Sequence, residues 1–106
     1  MNYNAVYNGY QSGLRNSFLV SSIGISLILF SKFFDDPYHK YTIKILGLLI
    51  LILSIAISLL NMRDFSYIIN NNDAPIFTKK WKSWFIINYS HIFIVFLVIL
   101  MVLSYT

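Results

Sequence analysis

Charged positions divide this chain into long uncharged runs. Between Arg15 and Lys32 lie sixteen uncharged residues, Asn16 to Ser31. Between Lys44 and Arg63 lie eighteen, Ile45 to Met62. After Lys82 no Asp, Glu, Lys or Arg occurs, and His91 is the only imidazole. A helix rises about 1.5 Å per residue, so about 20 residues cross a bilayer core of roughly 30 Å. The second and third runs meet that length directly. The first meets it when Arg15 and Lys32 extend their long stems to opposite interfaces. The pattern therefore predicts an all-α integral membrane protein with three transmembrane helices, at about Leu14–Phe34, Thr42–Met62 and Ser83–Ser104. A membrane barrel would alternate apolar and polar residues along strands of about ten. The run from Ile45 to Leu60 does not alternate. Its many Ile residues favour strands in water, but in lipid only helices and closed barrels satisfy the backbone.

The connections agree with three spans. Asp35-Asp36-Pro37-Tyr38 follows the first, and Pro37 blocks its continuation. So short a link makes the first two helices an antiparallel hairpin. The second connection, Arg63 to Lys82, is longer and holds the turn-forming cluster Asn70-Asn71-Asn72-Asp73 and Pro75. Its beginning, Asp64 to Ile69, can extend the second helix past the membrane surface. Residues 14–106 thus form the membrane domain, preceded by a polar Tyr/Asn-rich segment, Met1–Gly13. That segment lacks the basic region and small-residue cleavage site of a signal peptide, so its retention is expected. Tyr3, Tyr7 and Tyr10 suit a short helix or turn in the headgroup layer; a free tail is the alternative.

Composition removes most other classes. The chain has 106 residues, 58% hydrophobic and 11% charged. So small and apolar a chain cannot cover its own hydrophobic side chains in water. Its net charge of +4 comes from eight Lys and Arg against four Asp. These cations flank apolar runs, which points to lipid headgroups rather than nucleic acid. Arg15, Arg63, Lys79, Lys80 and Lys82 fall on one side of the membrane and Lys32, Lys40 and Lys44 on the other. The positive-inside rule then places the N-terminus inside and the C-terminus outside. Trp81 and Trp84 beside these lysines suit an interfacial belt. Heavy use of Ile, Asn, Phe and Tyr matches AT-rich coding, as in many protists, their large viruses and some bacteria; a cellular or a virion internal membrane is the expected host.

A few polar residues lie within the spans. Arg15, Ser22 and Ser26 share one face of the first helix, and Ser17, Gly24 and Ser31 the opposite one. Gly47, Ser54, Ser58 and Asn61 line one face of the second. Small residues let helices approach closely in lipid, so Ser22, Gly24, Ser26, Gly47, Ser54, Ser58 and Asn61 are the candidate packing positions. Two such faces on one helix imply two neighbours, one of them in another copy; packing within a single bundle is the alternative, and a hydroxyl-lined pore a further one. Asn88 and His91 lie a turn apart in the third span, where polar groups face protein. His91 has no intramembrane acid to relay protons with, so a structural hydrogen bond to Ser or Asn is expected. Arg15 and Arg63, with Lys79, Lys80 and Lys82, form a basic cluster for headgroups or for a phosphate-type anion. Asp64 beside Arg63 offers a local ion pair instead. No metal site is expected, because His39 and His91 lie in different zones. No cofactor motif occurs: Cys and Glu are absent, there is no Gly-rich phosphate loop, and no enzyme is expected.

The order of features, Arg15-Asn-Ser-Phe-Leu19 opening a Ser/Gly-rich helix, a short loop, an aliphatic helix ending in Asn61-Met-Arg63, then a basic loop and a plain third helix, resembles the YidH-like family of small three-helix membrane proteins of unknown function. The pattern spans about Gln11 to Tyr105 and also occurs in the small membrane subunit of the vacuolar transporter chaperone complex, which makes and translocates polyphosphate. Leu14 stands where the family carries an acidic residue. The resemblance implies that Arg15 and Arg63 match the family's basic positions. The expected role is structural or accessory, in a homo-oligomer or larger membrane complex surrounded by lipid; a subunit of an anion or polyphosphate transport or channel complex is the alternative.

Overall fold

A computed structural model describes residues 3–71 and 81–104, with side chains described for 5–68 and 85–104. Helix α1 is Tyr3–Phe30, continued by a 3-10 turn over Ser31–Phe33. Helix α2 is Pro37–Asn71 and helix α3 is Trp81–Ser104. No strand occurs among the described residues. The spans long and apolar enough to cross a membrane are Ala5–Phe33, Pro37–Ile68 and Phe85–Ser104. They pack side by side into a rod of 58 × 21 × 15 Å. Leu19, Ile23, Leu53, Ile86 and Phe93 are among the large apolar side chains left outside, where lipid covers them.

The interhelical seam follows a spacing of three and four residues. On α1 it runs through Val6, Tyr10, Leu14, Ser17, Ser21, Gly24, Ile28 and Ser31, all buried. On α2 it runs through Gly47, Leu51, Ser54, Ser58 and Asn61, also buried. A repeat near 3.5 residues keeps one stripe facing its neighbour along the helix length. The antiparallel hairpin is closest where Gly24 meets Gly47. A Cβ on Gly24 would lie 2.9 Å from the Gly47 carbonyl oxygen, and one on Gly47 would lie 2.8 Å from that of Gly24. Only residues without a Cβ let the two backbones come this near. Helix α3 covers the remaining side of this pair, with Val95 buried against Ile28 and Leu51.

Helix α1 begins at Tyr3 rather than at Leu14, so no structural boundary falls at Gly13. Hydropathy alone gives this first part no reason to order. Its partner is the extension of α2 past Met62. Gly9 packs on Phe65, Gly13 on Asn61, and Tyr10 joins Leu14, Met62 and Phe85 in one cluster. The two extensions hold each other. The buried position of Leu14 also accounts for an apolar residue there.

The turn between α1 and α2 is short and well capped. Asp36 precedes Pro37, whose fixed φ and missing N–H suit the first helical position. The Asp36 carboxylate accepts the Tyr38 backbone N–H at 3.1 Å and meets His39 Nδ1 at 2.6 Å. The Tyr38 N–H, and after it His39, hold this carboxyl below the usual aspartate value of 3.8. A depressed carboxyl stabilises the fold above its unfolded value, and that contribution is lost as pH falls through the folded one. Asp36→Ala is therefore expected to speed hydrogen exchange at the Tyr38 amide at neutral pH. The difference from the parent chain should shrink in acid below 3.8; equal exchange at neutral pH would remove the cap's role.

Candidate functional site

The buried amides and imidazole of the spans, Asn61, Asn88 and His91, take part in two interhelical contacts. The first joins all three helices. Asn88 of α3 is wholly buried. Its Nδ2 donates to Ser58 Oγ of α2 at 2.8 Å and to the Ser58 carbonyl at 3.4 Å. A carbonyl cannot donate, so the amide nitrogen must face Ser58 and Oδ1 must face α1. There Oδ1 accepts the hydroxyl of Tyr10. Asn61 adds a second tie from α2 to α1, its Nδ2 donating to the Tyr10 carbonyl at 3.4 Å. The rings of Phe65 and Phe85 close around Tyr10, at centroid distances of 5.5 and 5.9 Å.

The second contact joins α1 to α3. His91 Nε2 lies 3.1 Å from Ser21 Oγ. The Ser21 hydroxyl donates to the Phe18 carbonyl at 2.9 Å, so it accepts from the histidine. That assigns the proton of a neutral ring to Nε2 and leaves Nδ1 as the bare nitrogen. Nδ1 is buried and has no hydrogen-bond partner among the described residues. The Phe18 ring stands edge-on to the imidazole at 4.9 Å. Ser17, Ser31 and Ser54 each donate to the carbonyl three residues back, at 2.5 to 2.7 Å. A hydroxyl satisfied within its own helix can sit at an apolar seam without a partner across it.

Of the packing positions read from the sequence, Gly24, Gly47, Ser54, Ser58 and Asn61 lie in the seam. Ser22 and Ser26 do not: both are exposed, and Ser22 Oγ donates to the Phe18 carbonyl of its own helix. They lie on the face opposite Ser17, Gly24 and Ser31, which are buried in the seam together with Ser21. Serines at 21 and 22 look alike by residue type; only the spacing of three and four separates them.

Of the basic cluster, the structure describes Arg15 and Arg63. Lys79 and Lys80 lie outside the described residues, as do the side chains of Lys82, Trp81 and Trp84. The contacts of Gly9 with Phe65 and of Gly13 with Asn61 bracket Arg63, so it lies in the same layer as the first turns before Arg15. Both arginines are exposed. The Arg63 guanidinium is 3.6 Å from the Asp64 carboxylate. At the opposite end, a cleft of about 660 Å³ opens between α1, α2 and α3. Ser31, Lys32, Lys40 and Lys44 contribute to its lining, together with apolar side chains of α1 and α3. The sequence placed these lysines at one membrane face but did not bring them together. No group of three metal-ligating side chains converges among the described residues.

Three long apolar helices, joined on one side by a capped turn and tied inside by buried amides and hydroxyls, define a small multi-pass integral membrane protein. Comparison with family models, with curated proteins and with solved structures finds no match.

Proposed function

We propose that the chain is a structural or accessory membrane protein, without catalytic activity, whose three-helix unit associates with further copies of itself or with a larger complex in a cellular or virion membrane. The observation that carries this reading is the use made of the intramembrane polar groups. Asn88, Tyr10, Ser58 and Asn61 bond to one another across helices, and Ser21 meets His91. Such bonds fix the positions of helices. A conducting path needs polar groups turned toward a common lumen instead. The resemblance to the YidH-like family accords with a compact three-helix unit, and the excess of basic residues around the second connection favours an inside N-terminus. Anion handling by the basic cluster has less support, because Asp64 sits against Arg63.

Ser22 and Ser26 support association, since neither α2 nor α3 covers them and small residues admit a second helix. The test is stepwise photobleaching of singly labelled chain in lipid nanodiscs drawn directly from the source membrane. More than one copy per disc is expected, falling to one in the Ser22→Leu, Ser26→Leu variant. A parent chain that is monomeric and recovers no fixed partner on purification would overturn the proposal.

A further inference from the structure

The cleft at the hairpin end has two kinds of wall. Ile25 and Ile28 of α1 and Val98, Met101 and Val102 of α3 make it apolar. Lys32, Lys40 and Lys44 stand on its lining with no acidic residue among them. The nearest acidic side chains in sequence lie in the turn, and the Asp36 carboxylate is already engaged by the Tyr38 N–H and His39. Lys32 lies in the 3-10 turn after α1, while Lys40 and Lys44 occupy successive turns at the start of α2. The cations therefore cluster at the end of the spans, where headgroups lie, and the apolar wall runs from them toward the membrane interior.

We infer that this cleft holds one anionic phospholipid of the surrounding leaflet, its phosphate among Lys32, Lys40 and Lys44 and an acyl chain against Ile28, Val98 and Met101. The charge complementarity is one-sided: three ammonium groups can each donate to phosphate oxygens. Cavity size is the second argument. A space of about 660 Å³ falls in the range that buries a sizeable organic ligand, and a lone phosphate would leave its apolar wall empty. Lys44 is only half-exposed, so its stem contributes apolar surface while its ammonium reaches the headgroup. The site is separate from Arg15 and Arg63, which lie toward the other end of the rod.

Native mass spectrometry of the full chain tests this, using matched vesicle lipids with phosphatidylglycerol or phosphatidylcholine headgroups. The parent chain is expected to retain one phosphatidylglycerol with about hundred-fold preference, given roughly additive attraction of the three lysines near a membrane surface. The Lys32→Gln, Lys40→Gln, Lys44→Gln variant should lose that preference. Met101→Trp, at an exposed position of the wall, should weaken retention while leaving all charges in place. Arg63→Gln should change neither. Three results would each overturn the inference: equal retention of both lipids, displacement of the lipid by inorganic phosphate alone, or a disulfide between Met101→Cys copies showing a second chain seated in the cleft.

Discussion

Gly47→Leu is expected to open the hairpin between α1 and α2, with a large loss of stability. Even the first added carbon is unfavourable. It would lie 2.8 Å from the Gly24 carbonyl oxygen, 2.8 Å from Ile28 Cγ1 and 3.2 Å from the Ile28 backbone nitrogen. Two of those neighbours are backbone, which cannot swing aside, so the helices must separate. Overpacking in a filled interior costs about 1–3 kcal/mol, and alanine at 47 should fall in that range. Leucine must also place three further carbons where Gly24 and Ile28 pass, and should exceed it. Gly9 supplies the contrast. A Cβ there meets only the ring tip of Phe65, at 3.2 Å, and that side chain can turn. Gly9→Ala is therefore expected to be nearly neutral. Unfolding in mixed micelles of increasing SDS content measures all three variants. Equal stability of Gly47→Leu and the parent would show that the Gly24–Gly47 crossing does not hold the hairpin.

The same crossing shows what a reading of residues can and cannot reach. The α2 stripe was legible because Gly47, Ser54, Ser58 and Asn61 interrupt an otherwise aliphatic run, so their shared face stands out. On helix α1 the face of Ser17, Gly24 and Ser31 was legible too, but which of its two small-residue faces meets α2 was not. Serines occur at 17, 21, 22 and 26, on both sides of the helix, and a hydroxyl bonded to its own helix is tolerated on either. The extra turns of α1 and α2 were hidden for another reason. Tyr10 orders against Phe65 and Met62, more than fifty residues away, and no local window contains that partner. The lysine cleft needed a third helix. Its apolar wall comes partly from Val98, Met101 and Val102, in a stretch with no polar residue to mark a face until Ser104. Charge order, by contrast, gave the number of spans and their apolar centres, because a bilayer permits few places for a cation, although Arg15 and Arg63 fall inside the helices rather than at their ends.

Asn88→Leu is expected to release α3 from the hairpin without impairing its insertion. Leucine shares the γ-branching and heavy-atom count of asparagine and suits lipid better, so the third span becomes more apolar and its insertion is favoured. What disappears is the three-way tie. The Tyr10 hydroxyl and the Ser58 hydroxyl and carbonyl each lose their contact to Asn88 in a buried setting. Interhelical hydrogen bonds in membranes average about 0.6 kcal/mol and reach about 1.7. An orphaned buried group costs about 1–3 kcal/mol in addition when nothing else satisfies it. A loss of about 2–3 kcal/mol in α3 docking follows, since Ser58 can recover part by bonding within its own helix. Tyr10→Phe removes one of the contacts and should cost about 1 kcal/mol. Because that contact is shared, the double variant should lose less than the two separate losses added together. His91→Phe should cost less than Asn88→Leu, because the contact of His91 with Ser21 ties α3 to α1 alone, whereas Asn88 bonds to both other helices. Cysteine cross-linking between the Leu48 and Val98 positions, which pack against the same apolar cluster, with accessibility labelling at the C-terminal end of α3, separates docking from insertion. A preserved cross-link in Asn88→Leu would mean that apolar packing around Val95 holds α3 by itself. A lost cross-link with unchanged accessibility would mean that the buried amide is what selects the third helix's place against the other two.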